Sequence, residues 1–122
     1  MKKILFIVLC CICLCGCDNN SWKKDFQVSD IKINVTEGWS RDDTYITYSI
    51  KNISNYDCNA MTAIVEFQSG SLTVEETIYP SSLLFPLLKN STVEFEDVIM
   101  NKNYEGYTAS FKEINCYDKD TN

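Results

Sequence analysis

Seventeen carboxylates and seven thiols, with no histidine, set the chemistry open to this 122-residue chain. Without imidazole there is no Ser-His-Asp or Cys-His arrangement, and the commonest general base and metal ligand is missing. A zinc site would rest on thiols and carboxylates alone. The carboxylates cluster at Asp42-Asp43, Glu75-Glu76, Glu94, Glu96-Asp97, Asp118 and Asp120. Paired acids hydrolyse glycosides or hold calcium. None of these clusters has the spaced Asp/Asn-Gly pattern of a calcium loop, and acids on a strand's outer face read as solvated surface. The expectation is a protein that is not an enzyme, with no metal and no cofactor.

The thiols point elsewhere. Lys2-Lys3 precede an apolar run over residues 4–15, followed by Gly16 and the polar stretch Asp18-Asn19-Asn20-Ser21. This is the three-part layout of a secretory signal. A transmembrane helix would need roughly 20 apolar residues, and the run is shorter. Cys10, Cys11, Cys13 and Cys15 lie inside it as small hydrophobes. The end of the run, Leu14-Cys15-Gly16-Cys17, resembles the lipobox of bacterial lipoproteins: an aliphatic residue, a small residue in third place, then the cysteine. The resemblance implies signal cleavage between Gly16 and Cys17 and a diacylglycerol on the Cys17 sulfur. It also implies a cell-membrane location facing the periplasm or cell exterior. Asp18 resembles the inner-membrane retention signal of some double-membraned bacteria. Each buried methylene contributes about 0.8 kcal/mol, so two or three acyl chains make attachment effectively permanent.

Two thiols remain, Cys58 and Cys116. An even pair in an exported protein reads as one disulfide, with two unpaired thiols as the alternative. A bridge across so long a loop contributes at most about 4 kcal/mol on chain-entropy grounds. Cys58 and Cys116 both fall out of phase with the neighbouring apolar stripes, which puts the bridge at the rim of the fold and not across its centre.

The elements that hold these residues have period two. Ile31, Ile33 and Val35 alternate with polar residues, as do Ile46, Tyr48 and Ile50, then Met61, Ala63, Val65 and Phe67. Gln68-Ser69-Gly70-Ser71 is a hairpin signal. A Thr- and Glu-rich strand follows to Tyr79, with the composition of an edge. Val93 and Phe95 alternate again. Tyr107, Ala109 and Phe111 share one parity and Ile114 and Cys116 the other, which predicts a bulge near Lys112-Glu113. The Pro80 to Leu88 stretch reads as a sheet-to-sheet connection that tucks Leu84, Leu87 and Leu88 under the core, with an exposed contact surface as the alternative. Trp22 either rests at the membrane interface or caps the core. Tyr45, Tyr56, Tyr104 and Tyr117 are candidates for an exposed binding face.

These elements predict an all-β, antiparallel β-sandwich of six to seven strands, preceded by a signal-peptide helix. The divisions are signal peptide 1–16, lipidated cysteine and tether 17–25, sandwich 26–117 and flexible tail 118–122. Residues 43–114 resemble the small immunoglobulin-like domains of bacterial lipoproteins. The resemblance lies in Asn52-Ile53-Ser54 closing a strand, Val65-Glu66-Phe67 before the Gly70 turn, and Lys89-Asn90-Ser91 before Val93-Glu94-Phe95. It implies a binding or accessory role. With Lys2 and Lys3 removed from the 11 Lys and Arg, nine cations face seventeen acids, a net charge of −8. That charge argues against nucleic acid and is compatible with a basic partner or with simple solubility. The expected partners are the membrane, through the lipid on Cys17, and an envelope protein. The alternative is an inhibitor or immunity lipoprotein that blocks a basic hydrolase or toxin.

Overall fold

The computed structural model describes residues 20–121. The expected signal peptide, the expected Gly16–Cys17 cleavage point and the expected lipid site Cys17 lie outside the described residues. Seven strands follow in order: β1 (Phe26–Val28), β2 (Lys32–Glu37), β3 (Asp42–Asn52), β4 (Asp57–Ser69), β5 (Leu72–Ile78), β6 (Thr92–Ile99) and β7 (Thr108–Asp120). They form two antiparallel sheets. In the first, β3 is central. β1 pairs with its C-terminal end and β2 with its N-terminal end along one edge, and β6 runs along the other. In the second, β4 lies between β5 and β7. The all-β sandwich follows from the alternation, because one face of each strand is apolar and must be covered by the opposite sheet.

The inward stripes are those that the alternation marks. Ile46, Tyr48 and Ile50 from β3 face Met61, Ala63, Val65 and Phe67 from β4, all of them buried. Tyr48 stacks on Phe95 at 5.5 Å and meets Phe111 edge-on at 5.0 Å. Gly70 and Ser71 close the β4–β5 hairpin, and Gly70 takes φ +60, a left-handed conformation that glycine adopts without steric cost. The parity switch in β7 is resolved by a bulge. Ile64 pairs with Glu113 and Val65 with Phe111, so Lys112 has no β4 partner and Ile114 and Cys116 turn inward.

Cys58 and Cys116 are bridged, with Cα atoms 6.0 Å apart. Both lie in the second sheet, on β4 and β7, near the end of the sandwich. The bond pins the C-terminal strand to the start of β4 and closes a loop of 58 residues, which stabilises the fold by about 4 kcal/mol on chain-entropy grounds.

Three expectations are corrected. The C-terminal strand does not stop at residue 117: Asp118, Lys119 and Asp120 pair with Ala60, Cys58 and Asp57, so most of the expected tail is sheet. The disulfide at Cys116 holds that extension in register. Nor are residues 21–24 an open polar stretch, as the expected tether over 17–25 would have them. Ser21–Lys24 form a 3-10 turn whose Trp22 is buried and donates from Nε1 to the Lys112 carbonyl at 3.0 Å. A polar run hid this residue from any periodicity. Finally, the connection from β5 to β6 buries only part of its apolar content. Leu87 is fully buried and exchanges two backbone hydrogen bonds with Cys58, whereas Leu83, Leu84 and Leu88 are exposed. The single bridge at Leu87 fixes one residue inward and leaves its neighbours outside.

Candidate functional site

A sandwich of two narrow sheets has two open sides, where the edge strand of one sheet faces the edge strand of the other. Here the two sides differ in chemistry. On one side, β5 faces β6. Val74, Glu76 and Ile78 share the inward parity of β5, and Phe95, Asp97 and Ile99 that of β6. Glu76 and Asp97 are therefore not solvated outer-face acids, as their clusters suggest, but half-buried groups on the inner face. Both line a cleft of about 470 Å³ between the two edges. A buried tyrosine serves each: Tyr48 Oη donates to Asp97 Oδ2, and Tyr104 Oη to Glu76 Oε2.

Electrostatics follow from that burial. Desolvation holds the Asp97 carboxyl above its ordinary value of 3.8, the Tyr48 hydrogen bond pulls it back, and Glu96 adds to the rise. Burial and the acid at its tip raise the Tyr48 hydroxyl far above 10.0, and Tyr104 likewise. Tyr104 is placed by Thr44, which is buried in β3. The Thr44 hydroxyl donates to the Lys102 carbonyl at 2.8 Å and accepts from the Tyr104 amide at 3.0 Å. The Tyr104 ring then stacks on Phe67 at 4.2 Å. Each carboxyl group accepts a hydrogen bond from a phenol that keeps its own proton. Among the described residues no group of three His, Cys, Asp or Glu stands close enough to hold a metal.

On the other side, β2 faces the start of β7. A groove of about 550 Å³ runs between them and continues into a second hollow of about 200 Å³ that ends at Trp22. Ile31, Ile33, Tyr107 and Ala109 lie half-buried along it. The charged residues that line the larger hollow are Asp30 and Glu105.

A third feature is the rim that carries the disulfide. Asn52 ends β3 and is fully buried. Its Nδ2 donates to the carbonyls of Tyr56 and Leu87 at 2.8 and 3.0 Å, and its Oδ1 accepts from the Ser54 amide at 3.0 Å. The Asn-x-Ser sequence is thus a structural joint: one amide satisfies two buried carbonyls of different loops. Tyr56 is buried, donates to Asp25 at 3.0 Å, and takes the Lys119 ammonium over its ring at 4.8 Å. Tyr56 and Tyr104 are therefore core residues, Tyr45 is half-buried, and of the four tyrosines singled out for a binding face only Tyr117 is exposed.

Among the large apolar side chains of the described residues the most exposed is Trp39, at the tip of the β2–β3 hairpin, whose next residues carry the Arg41–Asp43 ion pair at 3.2 Å. Its turn is tight: the Gly38 amide donates to the Arg41 carbonyl, and a Cβ on Gly38 would stand 2.8 Å from that oxygen. Comparison with family models, with curated proteins and with solved structures returns no match.

Proposed function

We propose that the chain is a lipid-anchored protein of the cell envelope whose immunoglobulin-like sandwich has a binding or accessory role and no catalytic one. The observation that carries this reading is the Leu14-Cys15-Gly16-Cys17 sequence behind a charged start and a short apolar run. Cys17 is the residue that bears the acyl chains, and the mature chain begins there, three residues before the described domain. The strand order supports the immunoglobulin-like assignment. The long strands β3 and β4 lie at the centres of opposite sheets, β4 and β5 form a hairpin, and β6 and β7 return as edge strands beside β3 and β4 in turn. The inward acids of the domain are capped by phenols, which supports a binding role over hydrolysis. Metabolic labelling with a fatty acid tests the anchor. The wild-type chain is expected to carry the label and Cys17→Ser to lose it; a Cys17→Ser chain that is still labelled refutes the assignment.

The net charge of −8 from residue 17 onward favours a second reading, an inhibitor or immunity lipoprotein directed at a basic hydrolase or toxin. Capture of basic hydrolases at low salt, lost at high salt, is the expected result; no capture at low salt rejects it.

A further inference from the structure

We propose that the groove between β2 and the start of β7 is a strand-acceptor site, which takes one extended segment of a partner polypeptide with alternating apolar and basic residues. The inference deepens the binding-module reading and rests on it. An edge strand exposes a row of unpaired amides and carbonyls, and proteins protect such edges with inward-pointing charges. The β5–β6 side has that protection in Glu76 and Asp97, one from each edge. On the β2–β7 side the half-buried inward positions are all apolar, Ile33 and Val35 on β2 and Ala109 on β7 with Ile31 and Tyr107 just before the strands, and the one charge of that parity, Glu37, is exposed at the hairpin end of β2. Both strands pair on one side only, β2 with β3 and β7 with β4. One of two otherwise similar sides is therefore closed to strand addition and the other left open.

The chain already fills part of this edge from its own N-terminal turn. Trp22 Nε1 donates to the carbonyl of Lys112, the residue that the bulge leaves without a β4 partner. The Trp22 ring stops the groove at that point, so the free length is set by β2, six residues long. A strand added there puts alternate side chains between Ile33 and Ala109, which asks for small or branched apolar residues. Asp30 and Glu105 line the larger hollow and Glu37 ends β2, against Lys23 at the Trp22 end and Lys32 on the outward row of β2, and the chain from residue 17 onward is strongly acidic. Basic residues at the outward positions are the complement.

The test uses the purified full chain in detergent, with a synthetic blocked hexapeptide in which valine alternates with lysine. The same peptide with glutamate for lysine is the comparison. Binding is read by titration and mapped by amide hydrogen exchange. The expected result is saturable binding, with slowed exchange confined to β2 and the first residues of β7. Affinity for the glutamate peptide is expected to be lower by about tenfold or more, and Ala109→Lys is expected to weaken lysine-peptide binding by a similar factor. Exchange mapping on the wild-type chain decides the matter even if the variant fails to fold. No binding up to about 1 mM peptide overturns the proposal. So does protection confined to β5 and β6, or equal affinity for the two peptides. Protection of β2 that grows with protein concentration and needs no peptide assigns the groove to a second copy instead. The assay does not depend on acylation, so a failed anchor assignment and a failed groove assignment give separate results.

Discussion

The Tyr48 hydroxyl donates to Asp97, which lies two residues beyond Phe95, the residue directly across from Tyr48 on β6. The bond runs diagonally over the inner face of the sheet and gives a half-buried carboxyl its donor. Folded Asp97 takes up its proton at a higher pH than in the unfolded chain, where it titrates near 3.8. The folded state therefore binds more protons across a window that opens at 3.8 and extends upward. Stability falls as pH rises through that window and is constant above it as far as this group is concerned. Asp97→Asn removes the effect. Urea melts between about pH 3.5 and 7 are expected to show the variant gaining on wild type as pH rises. A difference that does not change with pH rejects the assignment.

The alkaline limb has the same sign. Tyr56 is pushed up to about 12, first by burial and then by its hydrogen bond to Asp25, and Tyr48 and Tyr104 move upward as well. Each keeps its proton in the fold after the unfolded chain has lost it near 10.0. The stability they contribute is whole below 10.0 and declines as pH rises above it. Ultraviolet titration of the folded protein is expected to leave these three of the seven tyrosines un-ionised at a pH where the unfolded chain has ionised all of them. Ionisation of all seven near 10.0 without unfolding contradicts the burial.

Asn52 is the joint most sensitive to a small change. Asn52→Ala takes one of two donors from each of the Tyr56 and Leu87 carbonyls, which keep the Ser54 hydroxyl and the Cys58 amide, and removes the acceptor of the Ser54 amide. It is expected to cost about 1–3 kcal/mol in chemical denaturation. Asn52→Asp is expected to cost more at neutral pH, because it sets a carboxylate against the carbonyls of Tyr56 and Leu87. Its deficit narrows as pH falls, since the protonated acid can donate to one of them. An Asn52→Asp variant as stable as wild type at neutral pH would falsify the hydrogen-bond assignment.

Trp22 and Trp39 separate spectroscopically, one buried and one in solvent. A soluble quencher is expected to reach Trp39 and to spare Trp22. Trp22→Ala is expected to cost about 3–5 kcal/mol, as for a buried large aromatic. Trp22→Phe keeps the ring contact and leaves the Lys112 carbonyl bare, for about 1 kcal/mol. Equal quenching of both indoles places Trp22 outside the core.

The strands that form the core are legible because their signal is a repeated one: three or four apolar residues at every second place fix a face. The bulge at Lys112 is legible for the same reason, since a parity change within one strand leaves only one economical solution. Glu76 and Asp97 were hidden by their type, because acids in Glu-rich strands read as solvent-facing. A signal was present even so, for each sits at the middle of an apolar-acid-apolar triplet of one parity, Val74-Glu76-Ile78 and Phe95-Asp97-Ile99. Trp22 and Asn52 offered no such pattern. Their burial depends on partners 90 and 35 residues away in sequence, Lys112 and Leu87, and no local window contains both ends of those bonds.

The seating of Trp22 sets a reach. From Cys17 to Trp22 there are five backbone steps, which extend at most about 18 Å. If Cys17 is acylated as proposed, the sandwich would be a buoy on a very short line: free to turn and tilt at the bilayer surface, unable to rise from it. Its partners are then those that come down to the headgroups themselves, and encounter is a search in two dimensions rather than three.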